Sequence, residues 1–178
     1  MKLSNEQRAA AVEVLVFDVD GVLTRGEIIY AGADAELKVF NVQDGHGFTL
    51  ARKAGLRLAL ITGRTSVAVQ RRASELQVDL LLEGQTDKGS ALRELMAKLR
   101  VKPGQVCYVG DDLVDLPAMA LAGFSVAVAN AVEEVKAAAH VETERRGGEG
   151  AAREVIEYVL KAKGLWVSIL KRYQNGEA

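Results

Sequence analysis

The feature that most constrains this chain is a rhythm: short, nearly continuous runs of branched apolar residues alternate with stretches of helical spacing. The runs are Val12–Val19, Leu56–Ile61, Val78–Leu82, Gln105–Val109 and Phe124–Val128. A glycine, an acidic residue or a helix-start signal follows each, as expected of strands buried on both faces. The helical stretches between them are Gly47–Lys53, Ser66–Leu76, Lys88–Leu99, Leu113–Ala120 and Val132–Ala138. In the second, Val69, Ala73 and Leu76 recur at spacings of three and four, the mark of one apolar helix face. Such alternation predicts an α/β fold, a Rossmann-like doubly wound parallel sheet with helices on both faces. Residues 27–42 break the rhythm: EIIY and ELKVFNV alternate apolar and polar around the turn-prone AGAD, which predicts an inserted β-hairpin. Residues 146–178 read as a glycine-rich tail with an amphipathic helix, loosely held after Gly164.

Composition narrows the function classes. A chain of 178 residues, 49% hydrophobic and 26% charged, has room for a single globular domain over 1–178 and little else. Its 23 Lys+Arg balance 24 Asp+Glu, and aromatics are 5%. Neither nucleic acid nor an anionic membrane therefore has a global electrostatic or stacking reason to bind. The lone Cys107 cannot form an internal disulfide. No run reaches the ~18 apolar residues of a membrane span, and the N-terminus lacks a signal-peptide pattern. The reading is a cytoplasmic protein.

In an open parallel sheet, functional residues gather at the carboxyl ends of the strands. The predicted strand ends carry Asp18-Val19-Asp20-Gly21, Thr62-Gly63-Arg64, Asp87-Lys88 and Gly110-Asp111-Asp112, with Asp115 close behind. Taken singly, Asp18 or Asp20 is a turn former, Thr62 a helix cap and Lys88 a surface lysine. Together they are harder to dismiss. Alternate residues of extended chain point the same way, and clustered carboxylates repel unless a cation compensates. Oxygen-only ligands at such a place suit Mg²⁺. The set fits phosphoryl transfer through a carboxylate nucleophile, with a second carboxylate as general acid and base and cationic or hydroxyl donors offsetting the phosphate charge.

FDVDGVLT (17–24), ITGR (61–64), TDKGSAL (86–92) and GDDLVDLP (110–117) together resemble the haloacid dehalogenase superfamily of phosphohydrolases. The resemblance implies Asp18 as nucleophile, Asp20 as acid/base, and Thr62 and Lys88 as phosphoryl ligands. Mg²⁺ would be held by Asp18, the Asp20 carbonyl and Asp111, with Asp112 and Asp115 supporting from behind. Over about residues 11–165, GAD-AELKVFNVQDGHG, RRASEL, EGQTDKGSAL and GGEGAAREV resemble more narrowly the 3-deoxy-D-manno-octulosonate 8-phosphate phosphatases, phosphoric monoester hydrolases of lipopolysaccharide precursor synthesis. That family implies no cap domain and a homotetramer whose neighbouring subunits help close each site. Gly63, Arg64 and Arg72 would then contact a sugar-acid phosphate, the two arginines facing its carboxylate from one helix; a solvated helix face is the plainer alternative for both. Arg64 also separates this family from relatives acting on nonulosonate 9-phosphates, which tend to have Glu there. Arg25 departs from the Asp that many relatives carry.

Other candidates stay open. His46 is a turn residue or a substrate contact, His140 reads as structural and Cys107 as a buried hydrophobe. Gly147, Gly148 and Gly150 are a flexible linker or, by the resemblance, a mobile segment reaching an active site. Two rivals come from other classes. A receiver-type phosphoacceptor domain keeps its acidic pair on strand one, whereas here a second acidic pair follows the fourth predicted strand. A non-catalytic oligomerisation module has no need of Asp18, Asp20, Thr62, Lys88 and Asp111 together.

Overall fold

The computed structural model describes residues 3–32 and 36–177. The elements, in chain order, are α1 (Asn5–Ala10), β1 (Val14–Phe17), β2 (Ile29–Tyr30), β3 (Glu36–Leu37), α2 (Val42–Lys53), β4 (Arg57–Ile61), α3 (Val67–Leu76), β5 (Leu80–Leu82), α4 (Lys88–Leu99), β6 (Val106–Gly110), α5 (Leu116–Leu121), β7 (Phe124–Ala127), α6 (Glu133–Ala138), β8 (Val141–Glu142), α7 (Ala151–Ala162) and α8 (Trp166–Gln174). Six strands form one parallel sheet in the order β5-β4-β1-β6-β7-β8. Every residue of β1, β6 and β7 is buried, which is why those segments read as unbroken apolar runs. Helices α1, α2 and α7 pack together on one face, and α4, α5 and α6 on the other.

The chain leaves β1 towards β4 and β5, then returns to add β6, β7 and β8 on the opposite side. The reversal falls between β1 and β6, the crevice where open α/β sheets bind ligands. Between β1 and α2 the described residues contain only the antiparallel pair β2–β3, with Ile29 opposite Leu37 and Tyr30 opposite Glu36. The hairpin predicted over 27–42 is thus present but shorter, and part of its AGAD turn lies outside the described residues.

Four local expectations change. Helix α2 starts at Val42 rather than Gly47, because Asn41 Oδ1 caps it by accepting from the Gln43 and Asp44 amides at 2.7 and 3.4 Å. Gly45 and Gly47, poor helix formers, disguise that first turn. His46 accordingly is not a turn residue but sits on α2, edge-on to Tyr173. A sixth strand, β8, was too short to register. The chain after Gly164 is not loose: it forms α8, whose Trp166 ring lies 5.7 Å from the Arg153 guanidinium and 5.5 Å from Lys161 Nζ.

Candidate active site

The site grows from the carboxyl ends of β1 and β6. Asp18 continues β1, its amide donating to the Val109 carbonyl at 3.0 Å. The chain then turns sharply, with the amides of Val22, Leu23 and Thr24 all donating to the Val19 carbonyl. Gly21 sits at φ +86°, and a Cβ there would lie 1.9 Å from Asp111 Oδ2. Only glycine lets the β1 loop come this close to the β6 loop.

Lys88 opens α4 and is buried with its ammonium between two carboxylates, 2.8 Å from Asp18 Oδ1 and 2.7 Å from Asp115 Oδ1. Asp115 is fully enclosed. Its Oδ1 also accepts from the Tyr108 hydroxyl at 2.7 Å, and its Oδ2 accepts from the Asp111 and Asp112 amides at 3.0 and 3.2 Å. Four donors leave Asp115 saturated, so it braces Lys88 and the β6 loop even though its oxygens cluster within 4.8 Å of those of Asp18 and Asp111. Asp112 faces outward and caps the helical turn Leu113–Asp115 through the Leu113 amide at 2.7 Å.

Asp18, Asp111 and Asp115 confront one ammonium, which leaves two negative charges over in a buried place. Burial, then repulsion from Asp115, lifts the Asp18 carboxyl to about 7 against the pull of Lys88. Burial, Asp18 and Asp115 lift Asp111 to about 8. Burial alone would lower the Lys88 ammonium, but the two carboxylates hold it above its usual value. Two under-compensated carboxylates, crowded around a glycine at the switch point, are the donor set of a hard divalent cation. The residues present fit Mg²⁺.

Thr62 is buried just past β4, with its Oγ 3.4 Å from the Arg64 amide. Asp20 is half-buried, and its carboxylate pairs with Lys38 Nζ. Arg64 lies in the loop before α3, not on it; it donates to Glu36 at 2.6 Å and lies 4.0 Å from Asp20. Arg72 does sit on α3, but it holds α3 against the start of α2: it lies over the Phe40 ring and donates to the Asn41 carbonyl and Glu75. The two arginines therefore do not share a helix face. Gly63 makes no close approach that demands glycine.

The glycine-rich segment docks on its own chain. The Gly148 amide donates to the Val22 carbonyl at 3.0 Å, and a Cβ on Gly147 would lie 1.7 Å from the Gly21 oxygen. Arg25 forms an ion pair with Glu149 at 3.0 Å across the same seam. Asn130 completes it, donating to the Gly21 carbonyl at 2.9 Å and accepting from the Gly147 amide at 2.6 Å. Away from the site, His140 Nδ1 accepts from the Ser125 amide, and burial raises the Cys107 thiol. Asn130, Tyr108, Glu36 and Lys38 were not expected as site residues. Of these, only Glu36 and Lys38 carried a signal, two residues apart in an alternating run and so on one side of extended chain.

A doubly wound parallel sheet with a buried aspartate beside a lysine, and a divalent-cation donor pair across its switch point, defines an aspartate-based phosphohydrolase. Residues 81–155 match the family model of haloacid dehalogenase-like hydrolases. The chain is 45% identical over 157 residues to the 3-deoxy-D-manno-octulosonate 8-phosphate phosphatase of Yersinia pestis, covering 88% of this chain and 84% of that one. It is similar to the solved enzyme of that name from Moraxella catarrhalis, in complex with magnesium, phosphate and KDO, at TM-score 0.93 and 41% identity over 95% of this chain and 97% of that one. The cobalt-bound enzyme of Haemophilus influenzae is similar at TM-score 0.87 and 38% identity, over 90% and 94%. The chain belongs to the haloacid dehalogenase-like 3-deoxy-D-manno-octulosonate 8-phosphate phosphatase family.

Proposed function

We propose that this chain is a Mg²⁺-dependent phosphomonoesterase that converts 3-deoxy-D-manno-octulosonate 8-phosphate to the free sugar acid and phosphate, in the cytoplasm, as a step in lipopolysaccharide precursor synthesis. The observation that carries the reading is the buried, under-compensated pair Asp18 and Asp111 next to Lys88, in a chain whose relatives bear that enzyme's name.

Asp18 attacks phosphorus and the ester oxygen leaves, its proton supplied by Asp20. Asp18 then carries the phosphoryl group as a mixed anhydride. Asp20, now a carboxylate, takes a proton from water as that water attacks phosphorus, which releases phosphate and restores Asp18. Lys88 and Thr62 offset the charge of the phosphoryl oxygens. Mg²⁺ held by Asp18, the Asp20 carbonyl and Asp111 supplies the remaining positive charge between anionic attacker and anionic phosphate.

A homotetramer is part of the proposal. Ile28, Ile29, Tyr30, Leu37 and Val39 expose an apolar strip along the hairpin, a cluster that association would cover. Phosphate release from octulosonate 8-phosphate, with and without Mg²⁺, tests the activity. Mg²⁺-dependent turnover at least about tenfold more efficient than on a nonulosonate 9-phosphate is expected, from a species of tetramer mass by light scattering. Equal kcat/KM on the two substrates would overturn the specificity, and a monomer would overturn the assembly.

A further inference from the structure

The loop after β7 meets both halves of the metal-donor site. On the β6 side, the Val128 amide donates to the Gly110 carbonyl at 3.3 Å and the Val132 amide to the Asp111 carbonyl at 2.9 Å. Between them, the Asn130 side chain crosses to the β1 side. Its Nδ2 donates to the Gly21 carbonyl at 2.9 Å, and its Oδ1 accepts from the Gly147 amide at 2.6 Å. The loop is itself anchored, since the Ala129 amide donates to the buried Thr143 hydroxyl at 3.1 Å. One short segment thus spans from Asp111 to the peptide that follows Asp20-Gly21.

Gly21 explains why such a tie is needed. The position must be glycine, because a Cβ there would lie 1.9 Å from Asp111 Oδ2. The same lack of a side chain leaves its dihedrals freer than those of any other residue type. The peptide before Gly21 carries the Asp20 carbonyl, and its amide makes a long contact, 3.4 Å to Thr24 Oγ1. The peptide after Gly21 is the one that Asn130 grips. A side-chain amide suits the place, because it offers a donor to a carbonyl and an acceptor to an amide at once.

We propose that Asn130 is a positioning residue for phosphoryl transfer: it fixes the conformation of Gly21, and so holds the Asp20 carbonyl for the metal and the Asp20 carboxylate for the leaving oxygen. This rests on the reading of the chain as a Mg²⁺-dependent phosphatase with Asp20 in those two roles. Asn130 itself touches neither the metal nor the substrate. Its effect falls on metal affinity and kcat, and leaves the binding of the sugar acid alone.

The test compares the native protein with Asn130→Ala and Asn130→Ser, whose side chains are too short to span the two partners, and with Ser125→Ala. Ser125 is buried on β7 with its hydroxyl 2.7 Å from His140 Nδ1, away from the site. Its variant reports what lost stability alone does. In the Asn130 variants, kcat on octulosonate 8-phosphate at saturating Mg²⁺ should fall about tenfold to a hundredfold. KM should stay within about twofold of the native value. Mg²⁺ affinity, read without substrate from the rise in melting temperature over a Mg²⁺ titration, should weaken about tenfold or more. Ser125→Ala should melt lower than the native protein and keep its kcat and Mg²⁺ affinity. Native kcat and Mg²⁺ affinity in folded Asn130 variants would overturn the proposal, as would equal losses in Ser125→Ala. A native protein that did not turn over octulosonate 8-phosphate would defeat the substrate reading, and the Mg²⁺ titration would still decide for or against Asn130. A native melting temperature indifferent to Mg²⁺ would remove the metal site, and the role of Asn130 with it.

Discussion

Asp115 and Glu36 are both carboxylates that grip a lysine beside the same reaction centre, in opposite surroundings. Asp115 is wholly enclosed and meets four donors, from Lys88, Tyr108 and two backbone amides. Glu36 stands on a two-residue strand at the site mouth, with a partly exposed arginine as its best partner. In the low-dielectric interior an ion that loses one partner is costly, so the first cluster has one arrangement. At the rim Arg64 and Asp20 keep part of their surface in water, and Lys38 keeps Asp20 if Glu36 withdraws, so the second can exchange partners. The difference separates a sealed cluster at the sheet end from an open one carried by the hairpin.

Three experiments would break or sharpen that division. The largest effect belongs to Asp18→Asn, which should cut kcat by about 10⁴-fold or more. Because it removes a buried charge that Asp111 and Asp115 repel, the variant should melt no lower than the native protein. A soluble, folded variant that retained turnover would take the nucleophile away from Asp18.

Next comes the direct contrast of the two carboxylates. Asp115→Ala strips partners from Lys88, Tyr108 and the β6 loop, and should lower unfolding free energy by about 3–5 kcal/mol. Glu36→Ala leaves Lys38 with Asp20 as its partner and should cost less, about 1–2 kcal/mol. Urea unfolding of both measures the gap, and equal costs would abolish the distinction between sealed and open clusters.

The smallest effect is in pH and metal dependence. The Asp18 and Asp111 carboxyls, at about 7 and about 8 against an ordinary 3.8, hold their protons more tightly in the folded state than in the unfolded chain. Metal-free protein should therefore lose stability as pH rises from about 4 to about 8. Mg²⁺ should restore a few degrees of melting temperature at pH 8 and little at pH 5, because it binds the deprotonated pair in the folded state. A melting temperature that rose with pH in the absence of metal would show that these carboxyls are not under-compensated.

Much of the site was legible because a parallel sheet turns order along the chain into position in space. Asp18, Asp20, Thr62 and Asp111 sit at the ends of apolar runs and Lys88 one short loop beyond another, so the fold class alone assigned them to one edge. The placing of Arg64 and Arg72 on one helix was misjudged for the converse reason: helical spacing says which residues share a face, but Arg64 lies before α3 begins. The glycines at 147 and 148 looked flexible because a composition does not show what presses on it; here it is the backbone of residues 21–25.

By itself, then, the order of residues determined the α/β class, the inserted hairpin and the acids, hydroxyl and lysine of the strand ends, since periodicity and strand-end position are local properties. Tertiary structure alone decided that Asp115 is saturated, that Asn130 ties the Gly21 loop to Gly147, and that Glu36 lies between Lys38 and Arg64. The deciding partners are far away in sequence: Lys88 for Asp115, Gly21 for Asn130 and Arg64 for Glu36. Such partners are chosen by burial and by which charges the fold leaves unanswered, and no local pattern records either.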